Sequence, residues 1–305
     1  MTFNSLFDDF IIDKQAGGCS PKTIADYMNK IHVFQLYAGR DMDISEFTDD
    51  FIKQYCIYIN RIKKTVATRY SYINALKIVL GWIEQNTTEP IVYHVRRIRS
   101  KRPQQRVVLP LSDTDVINMF KAVSGGSAWL IARNKAIVAL MLDSGLRQGE
   151  VVKLRLAEID FNSCVLVVLG KGSKKRLIPI GKVTSSLIKD YISSVPYPLS
   201  DYLFISSKGC PLTENAVKKM VYRLKSKTGY DVSSHKLRHD FATDYALRNI
   251  RMYGNPNKEQ LQLLLGHTDG QVTDGYIHLA YEQIAVDNYS SRLDGVAAAA
   301  HTASF

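Results

Sequence analysis

The sequence predicts a mainly α-helical protein with one small β-sheet, organised as two domains. Three observations carry that prediction. From Phe3 to about Asn86 the apolar residues recur three and four apart, which is the stripe a helix buries against a core. A run of basic residues over 94–106 interrupts the pattern and contains Pro103, as a linker between separately folded parts would. A single stretch over 159–180, ending VLVVLGKGSKKRLIPI, changes to two β-rich runs around a polar, glycine-containing turn.

Taken in order, the first domain covers 1–100 and is helical throughout. Ser20 precedes Pro21, a pair that caps a helix and fills its first turn. The helix that follows carries Ile24, Tyr27, Met28, Ile31 and Phe34 inward, and further helices are predicted over 48–62 and 67–85. The linker is placed at 101–109. The basic run around it holds Arg96, Arg97, Arg99, Lys101, Arg102 and Arg106. Charge runs are commonly just solvated faces. Between two domains of a chain with net charge +11, this one is read as a set of phosphate contacts to nucleic acid.

The second domain is placed at 110–295. Its helices are predicted over 112–123, where Ser112 and Asp115 form a capping box with Asp in place of Glu, and over 132–142, 214–227, 235–248, 258–265 and 281–293. The Ala-rich end, 296–305, is predicted to be disordered. The four cysteines, Cys19, Cys56, Cys164 and Cys210, form no CxxC pair, so neither a zinc site nor a disulfide framework is expected, and a reducing cytoplasm fits. The N-terminus lacks the basic start and apolar run of an export signal, and no membrane span is expected.

Within the second domain five segments stand in order: SGLRQGEV at 144–151, GKGSKKR at 170–176, HKLRH at 235–239, LLGH at 264–267, and Tyr276 nine residues later. Each is common by itself; together and in this order they resemble the tyrosine recombinase, or phage integrase, family, in a two-domain form like that of the Xer recombinases. The resemblance implies an all-helical, SAM-like core-binding domain and an α+β catalytic domain, closed as a C-shaped clamp on double-stranded DNA. It implies a site-specific recombinase that cuts and rejoins DNA through a 3′-phosphotyrosine link. It assigns Arg147 and Arg238 as the catalytic arginines, Lys171 as the hairpin lysine, His235 and His267 as the histidines, and Tyr276 as the nucleophile.

The chemistry of these side chains agrees with the assignment. A phosphodiester under attack builds charge on its non-bridging oxygens, and guanidiniums bind that charge in a fixed fork while staying protonated. A phenol with an ordinary pKa near 10 needs a proton acceptor, which His235 or His267 can be. The departing hydroxyl needs a proton, and Lys171 is the residue assigned to give it. The neighbouring Lys174, Lys175 and Arg176 are read as phosphate contacts. Glu150 is read as support, through an ion pair at a helix start. A covalent phosphotyrosine conserves the energy of the broken bond, so no metal or other cofactor is expected.

Blander readings stand beside these. Arg147 can be a surface residue, His235 a helix cap, His267 a loop residue, His239 a packing residue, and Tyr276 is one of 17 tyrosines. The 32 positions between His235 and His267 exceed the usual family spacing, and the surplus is placed in a loop at 249–257. Family members act as tetramers on two DNA sites, which implies a homotetramer here, with accessory proteins open. The segment after Tyr276, bearing Tyr281, Ile284, Ala285 and Leu293, either docks on a neighbouring subunit or packs on its own. Two other functions remain open at this stage: a type IB topoisomerase, and a DNA-binding protein of the same fold without activity.

Overall fold

Thr2, Ser20, Thr48 and Thr65 each accept a backbone amide from the first turn of the helix that follows, three residues on, and these four caps frame the N-terminal unit. The helices are α1 (Phe3–Ala16), α2 (Pro21–Ala38), α3 (Asp49–Ile62) and α4 (Val66–Asn86). Their apolar stripes meet in an aromatic core in which Phe34 lies 5.0 Å from Phe3 and 4.9 Å from Tyr55, both edge-on. Ile24, Ile31 and Phe34 of α2 are buried, the last two in that core, but Met28 is exposed and Tyr27 only partly covered. Met28 lies on the α2 flank that the stripe turns away from the core.

The computed structural model describes residues 1–88, 91–101, 110–170, 175–197, 201–267, 270–293 and 296. These separate into two units, Met1–Arg106 and Val107–Phe305. The basic run begins as part of the first. Val95 and Ile98 are buried in its core, and Asp49 accepts from the His94 backbone at 2.6 Å and from the Arg97 guanidinium at 2.8 Å. Arg97 is thus held by a carboxylate in the protein itself, while Arg96, Arg99 and Lys101 are exposed. Arg102 and Arg106 lie outside the described residues.

In the second unit Ser112 and Asp115 cap each other's backbone at the start of α5 (Asp113–Ala122). The long apolar α6 (Ala128–Ser144) runs through the core and leads to the single-turn α7 (Gln148–Val151). The expected hairpin is present with one further short strand: β1 (Ile159–Asp160), β2 (Val165–Leu169) and β3 (Lys175–Pro179) form an antiparallel sheet in that order. Val165 pairs with Pro179 and Leu169 with Lys175. The next helix, α8 (Lys182–Ser194), was not predicted, since its serines and β-branched residues are weak helix formers. Packing against α6 and a carboxylate from α6 explain it: Asp143 accepts from the Gly181 amide at 2.6 Å and from the Thr184 hydroxyl at 2.7 Å.

The remaining helices are α9 (Glu214–Thr228), α10 (Ser234–Tyr253), α11 (Lys258–Leu265) and α12 (Gly270–Asp287). Two boundaries depart from prediction. Helix α10 continues past Arg248 through Tyr253 and stops at the left-handed Gly254, so much of the surplus spacing is extra helix and not loop. Helix α12 begins eleven residues before the expected start at Tyr281 and ends at Asp287, because Thr273, Tyr276 and Ala280 already form its buried stripe against α10. Residues 297–305 lie outside the described residues.

Candidate active site

The site is built where three helix ends and one strand meet. After α6 the chain turns at Gly145, which has φ +60° and no room for a side chain: a Cβ there would lie 2.4 Å from the Phe241 ring. The turn delivers Arg147 to the cap position of α7. Glu150, one turn on, accepts from the Arg147 amide at 2.9 Å and from its guanidinium at 3.1 Å. The same carboxylate takes both terminal nitrogens of Arg176, each at 2.9 Å. The third Arg176 donor reaches the Leu264 carbonyl at 2.9 Å. Burial raises the Glu150 carboxyl, but the bonds and charge of Arg176 and Arg147 more than offset this and hold it below its ordinary range.

Arg238 is almost fully buried on α10. One guanidinium nitrogen donates to the Gly145 carbonyl at 2.7 Å and another to the Leu265 carbonyl at 2.6 Å, tying the C-terminal ends of α6 and α11 to α10. The latter nitrogen is also 3.0 Å from His267 Nε2. Arginine has only donors, so Nε2 is the acceptor and the His267 proton sits on Nδ1, where it is donated to Thr273 Oγ1 at 3.0 Å. Burial and then the Arg238 and Arg147 charges push His267 down to about 4. The same forces bring Arg238 down only to about 10. At neutral pH the imidazole is therefore uncharged and the guanidinium charged.

His235 lies at the start of α10 and is the freer of the two histidines; among the described residues its ring makes no hydrogen bond. Burial followed by the Arg238 and Arg147 charges lowers its pKa as well, so it stands as a base. Tyr276, on α12, is 2% exposed and its ring stacks on His267 with centroids 6.1 Å apart. Burial raises the phenol against the pull of Arg238 and Arg147. Proton removal must accompany any attack it makes.

Arg147, Glu150, His235, Arg238 and His267 line one cavity of about 680 Å³, and Lys153 adds an exposed cation to its wall. Tyr276 is not on that wall; it packs against His267, which is. A larger cavity of about 940 Å³ beside β3, α10 and α11 carries none of these groups. Lys171 and Lys174 lie outside the described residues. Lys175 is exposed, but Arg176 is placed as a structural group and not a phosphate contact: its side chain is 11% exposed, each of its three guanidinium nitrogens is bonded within the protein, and it is not on the cavity wall. The signal was present in the strand period, since Arg176 and the buried Ile178 are two apart on β3 and face the same side. No sequence signal marked Thr273, which is fully buried against His267.

Fixed positive charge beside an uncharged base and a phenol is an arrangement chemically suited to phosphoryl transfer to tyrosine. The chain belongs to the phage integrase family, whose pattern matches residues 111–283, and it is a tyrosine recombinase. The tyrosine recombinase XerC of Staphylococcus carnosus is 30% identical over 280 residues, covering 87% of this chain and 89% of that protein. XerD of Listeria innocua is 27% identical over 294 residues, covering 90% and 94%. In fold the chain is similar to XerH recombinase in a post-cleavage complex with a palindromic difH substrate, with a TM-score of 0.72 at 22% identity over 90% of this chain and 81% of that one. A lambda integrase dimer bound to a COC′ core site gives a TM-score of 0.70 at 19% identity over 91% and 77%.

Proposed function

We propose that this recombinase cuts one DNA strand by attack of Tyr276 on the scissile phosphate, leaving a 3′-phosphotyrosine and a free 5′ hydroxyl, and rejoins strands by the reverse attack. One observation carries the reading: residues from α6–α7, α10 and α11 converge on one cavity with the Tyr276 ring packed against its wall. Arg147 and Arg238 bind the non-bridging oxygens and hold the charge of the pentacoordinate phosphorus. Arg147 is half-exposed and held by Glu150 at one terminal nitrogen, so the rest of its guanidinium can meet phosphate, whereas Arg238 is fixed before substrate arrives. His235 accepts the phenol proton, because the His267 acceptor nitrogen is already occupied by Arg238. His267 orients Arg238. Lys171 protonates the departing 5′ oxygen. Glu150 and Arg176 hold Arg147 in place.

The partner is double-stranded DNA carrying a specific core site. The net charge of +11 suits it, and related structures carry DNA. The assembly we propose is a homotetramer on two DNA sites, each chain with domains at 1–100 and 110–295 joined by the linker at 101–109. Past α12 the apolar side chains of Tyr289, Leu293 and Val296 are exposed, as a segment that docks on a neighbouring copy requires. The setting is the cytoplasm. Among the described residues no helix is long and apolar enough to cross a membrane.

The test is a nicked suicide substrate, from which the 5′ product diffuses away and traps the covalent complex. Tyr276→Phe should form none while binding DNA as the unaltered chain does. Undiminished covalent complex in that variant would overturn the assignment of the nucleophile.

A further inference from the structure

We propose that His239 is a positioning residue for strand cleavage, fixing the Tyr276 ring in register with His235. It follows Arg238 directly in sequence, which on a helix turns it away from that guanidinium; but it also lies four residues after His235, and so shares the His235 face of α10. The two imidazoles meet edge to face, with centroids 4.3 Å apart and planes at 84°. On its other side His239 meets Tyr276 in the same way, at 4.9 Å and 74°. Such perpendicular pairs bring the positive edge of one ring to the negative face of the next, and this orients as well as attracts.

His239 is therefore the one described ring that touches both the nucleophile and the base assigned to it. The phenol is gripped between two imidazoles borne by different elements, His267 after α11 and His239 on α10. His267 is anchored by Arg238 and Thr273. His239 is anchored by the backbone of the helix that also bears Arg238, so it transfers the position of the phosphate-binding guanidinium to the nucleophile on α12. Burial, and then the charges of His235, Arg238 and Lys236, push it down to about 4. At neutral pH it packs as an uncharged ring and adds no cation against the arginines.

The inference rests on Tyr276 being the nucleophile, and its test separates the two. Full-length His239→Ala and His239→Phe are compared with the unaltered chain in single-turnover attachment to the suicide substrate. They are also run on the same DNA with sulfur replacing the bridging 5′ oxygen, a leaving group that departs without a proton. His239→Ala should slow attachment about 10- to 100-fold on both substrates, the scale expected for a misplaced nucleophile, with DNA affinity held within about twofold. His239→Phe, which keeps a ring edge, should recover to within a few-fold of the unaltered rate and leave the pH profile of cleavage unchanged. Thermal unfolding of each variant shows whether the unit is intact, and if alanine unfolds it the phenylalanine variant decides. Three results overturn the proposal: unaltered attachment by His239→Ala, its full recovery on the sulfur substrate, or His239→Phe as slow as alanine. Covalent complex in Tyr276→Phe would instead overturn the reading of the nucleophile.

Discussion

Removing the Glu150 carboxylate should unfold the catalytic unit more readily than its position beside a surface arginine suggests. The side chains of Glu150 and Arg176 are 8% and 11% exposed, so their forked pair is scarcely screened. Taking one partner from a buried pair costs about 3–5 kcal/mol, because the other charge stays behind without compensation. The contact to Arg147 adds under about 1 kcal/mol, since that guanidinium is 41% exposed. Glu150→Ala should therefore destabilise by about 3–5 kcal/mol, and Glu150→Gln, which keeps one acceptor oxygen, by about 2 kcal/mol. The assay is urea unfolding read at Trp129 in α6, with Trp82 in the first unit replaced by Phe so that only the catalytic unit is seen. The folded pKa of Glu150 is lowered, so its contribution is fully present above the unfolded value of 4.5 and is lost as pH falls through the folded value. The gap between the unaltered chain and Glu150→Gln should accordingly close in acid. A loss below about 1 kcal/mol for Glu150→Ala, or a gap that ignores pH, would refute the argument.

Three further outcomes follow from the same geometry. Gly145→Ala should cost about 2–4 kcal/mol, from the left-handed backbone and the collision with Phe241, and should depress cleavage because the Gly145 carbonyl holds Arg238; thermal melting and covalent-complex assays measure both. Thr273→Val removes the acceptor of the His267 Nδ1 proton, which Arg238 still keeps on Nδ1, and should lower cleavage about tenfold at a stability cost near 1 kcal/mol; undiminished covalent complex in the variant would contradict it. Asp240 accepts from the Leu111 amide at 2.5 Å and is pushed up to about 6, by burial first and Asp244 next. A raised folded pKa means that its favourable contribution is present below about pH 4 and lost as pH rises through about 6. Asp240→Asn keeps the acceptor oxygen and should gain about 1–3 kcal/mol at pH 8; a variant less stable than the unaltered chain at that pH would count against this.

What the sequence disclosed was local. Ser20 with Pro21, and Ser112 with Asp115, are helix starts written within three residues of chain, and the structure has helices beginning at both. Helix α8 and the early start of α12 were hidden because tertiary contacts outweigh weak propensity: Asp143 reaches 38 positions along the chain to fix Gly181. The order of motifs brought Arg147, His235, Arg238 and His267 forward, and the structure gathers them at one cavity. The links that decide their roles are carbonyls and a threonine, groups with no pattern of their own. Arg176 shows the limit from the other side, where three basic residues in a row, Lys174, Lys175 and Arg176, looked alike until the pleat of β3 turned this one inward.

The two carbonyls that hold Arg238 also bear on when the enzyme can first act during its life. They close loops of 93 and 27 residues, and Tyr276, the nucleophile we propose, follows on α12, the last long helix described. Contacts so distant in sequence must wait until both ends of the loop have been made, and their closure slows folding. A chain emerging from the ribosome, or one cut short before α11, has its charged residues but neither the guanidinium in place nor a phenol to attack with. On the proposed mechanism, strand-breaking capacity therefore arises only on completion of the catalytic unit.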